Sequence, residues 1–218
     1  MRIHLKIETS GVTIPFDHQP LLVGTIHKWL DRNDKHGNIA FYSFSQLEGG
    51  KAVPKGLKFE RGASFFFSSY DTDLIKQMIA GIQTDQSMFY GLKVTEIVLQ
   101  EDPDFSEREL FFTASPVFIK RRVGDKIDHI EYNDSRADEC LKETLLTKMK
   151  KVGINDDSLN IRFDKNYPKA GTKKITYRGV QNRANWCPVI IEARPETKLF
   201  AWNVGLGNST GIGFGAIK

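Results

Sequence analysis

Five side chains in this sequence can give and take a proton near neutral pH: His4, His18, His27, His36 and His129. Imidazole is the side chain whose ordinary pKa lies in that range. His36 stands in RNDKHGN, a polar run with the composition of a loop, between Lys35 and Gly37. A side chain so placed can meet the backbone of a bound molecule or simply be solvated. His27 lies in LLVGTIHKWLD, where Leu22, Ile26, Trp29 and Leu30 fall on one side at helical spacing. At about 100° per residue it borders that stripe, either as a partly buried helix residue or as a group reaching a cleft. His4, on the polar side of the alternating MRIHLKIE, and His129, within DKIDHIE, read as structural or surface residues. The acidic residues show no paired-carboxylate or metal-ligand spacing, and Cys140 and Cys187 form no CxxC, so no metal and no cofactor is expected.

A second constellation is backbone rather than side chain. NVGLGNSTGIGFGAIK carries Gly205, Gly207, Gly211, Gly213 and Gly215. A dinucleotide fingerprint would need a long helix and an acidic residue about 20 positions on, and the sequence stops at Lys218 before either. A Walker loop would need Gly-Lys-Ser/Thr, which this stretch lacks. Gly207 to Gly211 fits G-x-S-x-G, whose histidine must follow the serine, yet no histidine follows His129. What remains is a backbone able to approach another chain closely and aim amides at anionic oxygens, or else a tight loop before an edge strand.

A third is cationic. KNYPKAGTKKITYRGVQNRANW interleaves Lys165, Lys169, Lys173, Lys174, Arg178 and Arg183 with Tyr167, Tyr177 and Trp186. Lys120, Arg121 and Arg122 form a smaller group in IKRR. Such mixtures can contact phosphates and stack unpaired bases, or be the solvated face of a hairpin. Over the whole chain 31 Lys and Arg face 27 Asp and Glu, a formal charge of 31 minus 27, or +4, which leans mildly toward polyanions. No apolar run approaches bilayer length and the start is not a signal-peptide block, so a cytoplasmic protein without a membrane segment is expected.

These groups must be carried by elements. Alternation of Ile3, Leu5 and Ile7 with polar residues predicts a strand, LLVGTIHKWLD a helix, and IAFYSFSQL and GLKFERGASFFFSSY two strands. DTDLIKQMIAGIQ reads as a helix capped by Asp71, and FYGLKVTEIVLQE as a strand. Strand, helix, strand, strand, helix, strand is the split βαβ order of a ferredoxin-like or RRM-like sandwich. The order then begins again with ELFFTASPVFIKRR as a strand and SRADECLKETLLTKMKKVG as a helix with Ser135 as N-cap and Gly153 as stop. SLNIRFD, KKITYRGV and CPVIIEAR read as strands, TKLFAWNVG as a short helix and GFGAIK as a last strand. The expected class is α+β, two tandem ferredoxin-like βαββαβ domains, at 1–106 and 107–218.

Taken together, the first strand, QPLLVGTIHKWL, the loop with His36, YSFSQL and a tail of the form GxG followed by GxGxG resemble the CRISPR repeat-RNA endoribonucleases of the RAMP superfamily. The likeness covers essentially the whole chain, and the glycine tail after a short helix is its most specific part. It implies metal-independent cleavage of precursor RNA within the repeat, with CRISPR repeat RNA as partner. Other effector subunits and a second copy of the chain are further partners compatible with it. It also implies a catalytic histidine in the loop after the first helix, which is His36 here. Other members carry a tyrosine where this helix has His27, and some add a lysine soon after the histidine, where this chain has none before Phe41; Lys35 and Lys51 are the available substitutes, since a lysine acts as a point charge whose reach matters more than its place. Which imidazole is acid and which is base stays open. By the same likeness the second domain supplies repeat contacts, through Lys120, Arg121, Arg122, Lys169, Lys173, Lys174, Arg178, Arg183 and the tail glycines. A RAMP subunit that holds RNA without cutting it, and an unrelated RRM-like module, are the alternatives; the latter's K/R-G-F/Y-G/A-F-V-x-F/Y signature is missing.

Overall fold

The computed structural model describes residues 1–31 and 39–218. In the first half the elements are β1 (Arg2–Glu8), β2 (Thr13–Ile14), α1 (Gln19–Trp29), β3 (Tyr42–Phe44), β4 (Lys51–Val53), β5 (Gly56–Lys58), β6 (Ala63–Ser69), α2 (Thr72–Thr84) and β7 (Lys93–Gln100). The alternation in β1 buries Ile3, Leu5 and Ile7 on one face of a four-stranded antiparallel sheet ordered β3-β6-β1-β7. Leu22, Ile26 and Trp29 of α1, and Leu74, Ile75, Met78 and Ile82 of α2, join those residues and Phe65 and Phe67 in one core. Asp71 caps α2 as expected, its carboxylate accepting from the Asp73 amide at 2.9 Å. Two strands come out shorter than the sequence suggests. IAFYSFSQL keeps only Tyr42–Phe44, and GLKFERGASFFFSSY divides into β5 and β6, with β2, β5 and β4 forming a small sheet of their own.

The second half contains β8 (Leu110–Phe111), β9 (Lys120–Val123), β10 (Lys126–His129), α3 (Ala137–Lys151), β11 (Asn160–Phe163), β12 (Gly171–Tyr177), β13 (Val180–Trp186), β14 (Val189–Glu192) and α4 (Pro195–Val204). Its sheet is ordered β11-β14-β8, and the chain end completes it: the Phe112 and Lys218 amides each donate to the other's carbonyl, at 2.9 and 2.8 Å. The spatial order β11-β14-β8-(216–218) repeats β3-β6-β1-β7, so the fold is two ferredoxin-like units in tandem, with two hairpins, β9–β10 and β12–β13, added to the second. The run ELFFTASPVFIKRR is broken by Pro116, which has no N–H for a ladder, into β8 and β9. The α3 start also differs: Arg136, not Ser135, is the residue before the helix, and no side chain caps it; the Asp134 carboxylate accepts from the Arg136 amide at 2.9 Å in the turn that leads in.

The halves are joined through β1. The Arg2 guanidinium lies 3.7 Å from the Phe66 ring centre and 3.4 Å from that of Trp202, and donates to the carbonyls of Trp202 and Ile217 at 3.1 and 2.8 Å. Burial, and then the charge of Arg108, pull its pKa well down, while the aromatic faces and carbonyls compensate the cation.

Candidate nucleic-acid interface

The exit of α1 and the glycine tail meet across the two halves. α1 starts with Pro20 in its first turn, and His18 just before it is buried, with Nδ1 2.7 Å from the Pro15 carbonyl. Burial lowers the His18 pKa, and the ring has a structural place at the head of the helix. In the last turn of α1 the half-buried His27 lies with Nε2 3.5 Å from Tyr42 Oη. Tyr42 opens β3, is 5% exposed, and donates to the Gly211 carbonyl at 3.3 Å. At the other end of α1, Gln19 donates to the carbonyls of Ile212 and Gly213 at 2.7 and 3.0 Å. The tail is therefore held by side chains from α1 and β3 of the first half.

That packing explains the glycines. At Gly213, with φ +88°, a Cβ would run into the Gln19 amide and the Phe44 ring; at Gly215, with φ +72°, it would run into the Leu206 carbonyl. A Cβ on Gly211 would stand 2.9 Å from that of Ala40, one on Gly205 would stand 2.8 Å from that of Ser43, and one on Gly207 would strike the Phe118 carbonyl. The close approach is thus to the protein's own chain, and Gly205, Gly207, Gly213 and Gly215 are buried. Between 205 and 215 only Asn208, Ser209, Gly211 and Ile212 are partly open to a ligand. Gly213→Ala is expected to cost about 2 kcal/mol or more, from left-handed backbone plus the clash, and to lower the melting temperature by roughly 4–8 °C in a calorimetric scan.

The cationic groups sit on and beside the two added hairpins. The β12–β13 hairpin packs against α1, with Tyr177 at its turn resting on the first-half core. The hairpins touch each other where the Arg183 amide meets His129 Nδ1 at 3.4 Å and the Arg183 guanidinium bonds Glu131 at 2.6 Å. Arg121 is also committed, to Glu143 at 2.8 Å and to the Cys140 carbonyl. Among the described residues, Lys120, Arg122, Lys169, Lys173, Lys174 and Arg178 are exposed and form no ion pair, and the Lys173 nitrogen lies 3.5 Å from the centre of the Trp186 ring.

Not every expected residue joins this surface. His36 and Lys35 lie outside the described residues, His36 standing six positions after Leu30 and six before Tyr42. Lys51 is on β4 and pairs with Glu60 at 2.9 Å, near the Ser64 end of β6, whereas Tyr42 pairs with Ser69 at the other end. Five residues of strand, roughly 17 Å at about 3.4 Å each, separate the two ends. His4 bonds Gln100 at 2.6 Å, and His129 packs edge-on against Phe118; both sit in structural surroundings. Among the described residues no group of His, Cys, Asp or Glu could hold a metal ion, and no helix is long and apolar enough to cross a membrane.

Sequence reasoning missed Tyr42, Gln19 and Lys148. Lys148 is 6% exposed and donates to the carbonyls of Val204 and Gly205 and to Thr210 Oγ1 at 3.2, 3.1 and 3.2 Å. Among the described residues no charge stands near enough to help, and burial lowers its pKa to about 7. The signal was present: Lys148 follows Leu141 by seven and Leu145 by three, in phase with the buried stripe of α3, although the last turn reads as a solvated lysine cluster.

Residues 100–218 match the family model described as CRISPR associated protein Cas6, C-terminal. Among solved structures, the chain is similar over its whole length to a CRISPR associated protein Cas6 (TM-score 0.85, 20% identity, 98% of that chain). It is similar to the product of a Cas6-related gene from Pyrococcus furiosus (0.85, 21%, 97%) and to a RAMP protein described as binding different RNA substrates (0.86, 19%, 98%), again over 100% of this chain. No curated protein matches the sequence. The matched segment spans more than half of the residues, and it contains the glycine tail and both cationic hairpins: the chain belongs to the Cas6 family of CRISPR-associated proteins.

Proposed function

We propose that this protein is a metal-independent endoribonuclease that cuts CRISPR precursor RNA within its repeats. The observation that carries the reading is that α1, with His27 in its last turn, is packed on by both the glycine tail and the cationic β12–β13 hairpin. A similar RAMP protein is described as binding different RNA substrates; here an RNA strand lying along the hairpins through phosphate contacts and base stacking passes beside α1.

The chemistry needs one proton acceptor and one proton donor. A base removes the proton from a ribose 2′-hydroxyl, the 2′-oxygen bonds to the adjacent phosphorus, and the bond to the 5′-oxygen breaks as an acid protonates it. The products are a 2′,3′-cyclic phosphate and a 5′-hydroxyl. His27 and His36 share the two proton roles, and hairpin cations offset charge on the phosphorane. Cleavage of repeat RNA should persist in excess EDTA and vanish when the scissile nucleotide is 2′-deoxy; equal cutting of the deoxy substrate rejects the mechanism.

A second reading, a RAMP subunit that holds guide RNA without cutting, is favoured by one observation: Lys51 is taken up by Glu60, and no lysine stands between His36 and Phe41. It predicts binding, no product, and indifference to His36→Ala. Either reading predicts that a triple Lys173→Ala, Lys174→Ala, Arg178→Ala variant binds RNA more weakly. Its slope of log Kd against log salt should fall by about 2, because each phosphate no longer neutralised on a single strand takes away ~0.7; filter binding at several salt concentrations measures it.

A further inference from the structure

A lysine on the buried stripe of α3 is expensive. Methionine or leucine would continue the stripe with no cation to desolvate, so stability does not account for Lys148. What its nitrogen does is specific. Val204 and Gly205 are at the exit of α4, where the helix leaves carbonyls without internal partners, and Thr210 opens the short helical turn Thr210–Ile212. One side chain thus closes the loop between those two points. The very next residues, Gly211, Ile212 and Gly213, are the ones held by Tyr42 and Gln19 of the first half.

We propose that Lys148 is a positioning residue: from inside the second half it sets the glycine tail against α1, and through Thr210, Gly211 and Tyr42 it fixes the surroundings of His27. The inference rests on the endoribonuclease reading for its catalytic consequence, while the chain of hydrogen bonds stands on its own. Among the described residues the groups facing the nitrogen are two carbonyls and one hydroxyl, and no carboxylate or second cation shifts it. Both charge states fit this cage. An ammonium donates three bonds; a neutral amine donates two to the carbonyls and accepts one from Thr210, whose hydroxyl can reverse. The tie is thereby kept on both sides of neutrality, as a fixed positioning element requires, and Thr210 is the side chain that makes it so.

The test uses the full chain with Lys148→Met, Thr210→Val and Thr210→Ser. Lys148→Met should melt no lower than wild type at pH 7, yet amide hydrogen exchange across Leu206–Gly213 should quicken by about tenfold or more. Thr210→Val should quicken it too, Thr210→Ser should restore it, and the Lys148→Met/Thr210→Val pair should be less than additive. In single-turnover cleavage of repeat RNA the two disruptive variants should slow the bond-breaking step about tenfold, with RNA affinity within about twofold of wild type. Unchanged exchange in both variants overturns the proposal, as does a loss of affinity equal to the loss of rate. If Lys148→Met fails to fold, Thr210→Val decides the matter by the same readouts. If the wild type cuts no RNA, the exchange data still decide the positioning claim, and the silence counts against the endoribonuclease reading alone.

Discussion

His36→Ala is expected to slow cleavage of repeat RNA by about 10²- to 10⁴-fold, the span for losing a general acid or base, while RNA affinity changes little. The physical reason is the division of labour in the fold. In the proposed reading, affinity comes from exposed cations on the β9–β10 and β12–β13 hairpins, whereas the proton roles fall to the imidazoles at and after the end of α1. His27→Ala should show a loss of the same kind, and the double variant should lose less than the product of the two, because a base and an acid of one reaction act as a unit. The pH–rate profile of the wild type should be bell-shaped, and each single variant should lose one limb, which identifies acid and base separately. Single-turnover rates across the neutral range supply the check. An unaltered rate in His36→Ala with a large loss in His27→Ala would leave the α1 imidazole as the group that matters and would require another partner for it.

The second large effect is on stability. The Lys148 side chain has a pKa of about 7 in the folded chain and the ordinary 10.5 when unfolded. Between those values the unfolded chain binds a proton that the folded chain does not, so this group makes the protein more stable as pH rises through the window, with no further change below it. The difference in unfolding free energy between wild type and Lys148→Met should therefore move in favour of the wild type by up to about 1.4 kcal/mol per pH unit on going from neutral pH toward the unfolded pKa. Urea denaturation of both chains at each pH measures it, and taking the difference removes the titration of other lysines and tyrosines. A pH-independent difference would mean that the Lys148 nitrogen is solvated or paired.

Much of the architecture was legible because periodicity is local. The alternation of Ile3, Leu5 and Ile7, the stripes of α1 and α2 and the Asp71 cap each depend on neighbours a few positions away, and element order then pointed to the tandem fold. The boundaries that slipped did so for local backbone reasons: Pro116 divided a run that composition read as one strand, and a turn in which Asp134 accepts from the Arg136 amide moved the start of α3 past Ser135. The candidate site was less legible. The glycines announced a close approach without saying to what: at Gly205, Gly211 and Gly213 it is to Ser43, Ala40, Gln19 and Phe44 in the other half of the chain, and at Gly207 and Gly215 to Phe118 and Leu206 in their own. Lys51 looked available because sequence does not show that Glu60 pairs with it. Lys148 was hidden among the lysines of its own turn, where only its phase with Leu141 and Leu145 marks it as buried.

The most direct test is a structure of the protein bound to repeat RNA with a 2′-deoxy at the scissile nucleotide, read for the position of the scissile phosphate. That phosphate is expected beside the last turn of α1, within hydrogen-bonding reach of His27 or His36, with the flanking strand on the β12–β13 hairpin. A scissile phosphate bound on another surface, beyond the reach of both imidazoles, would contradict the proposed site of cleavage.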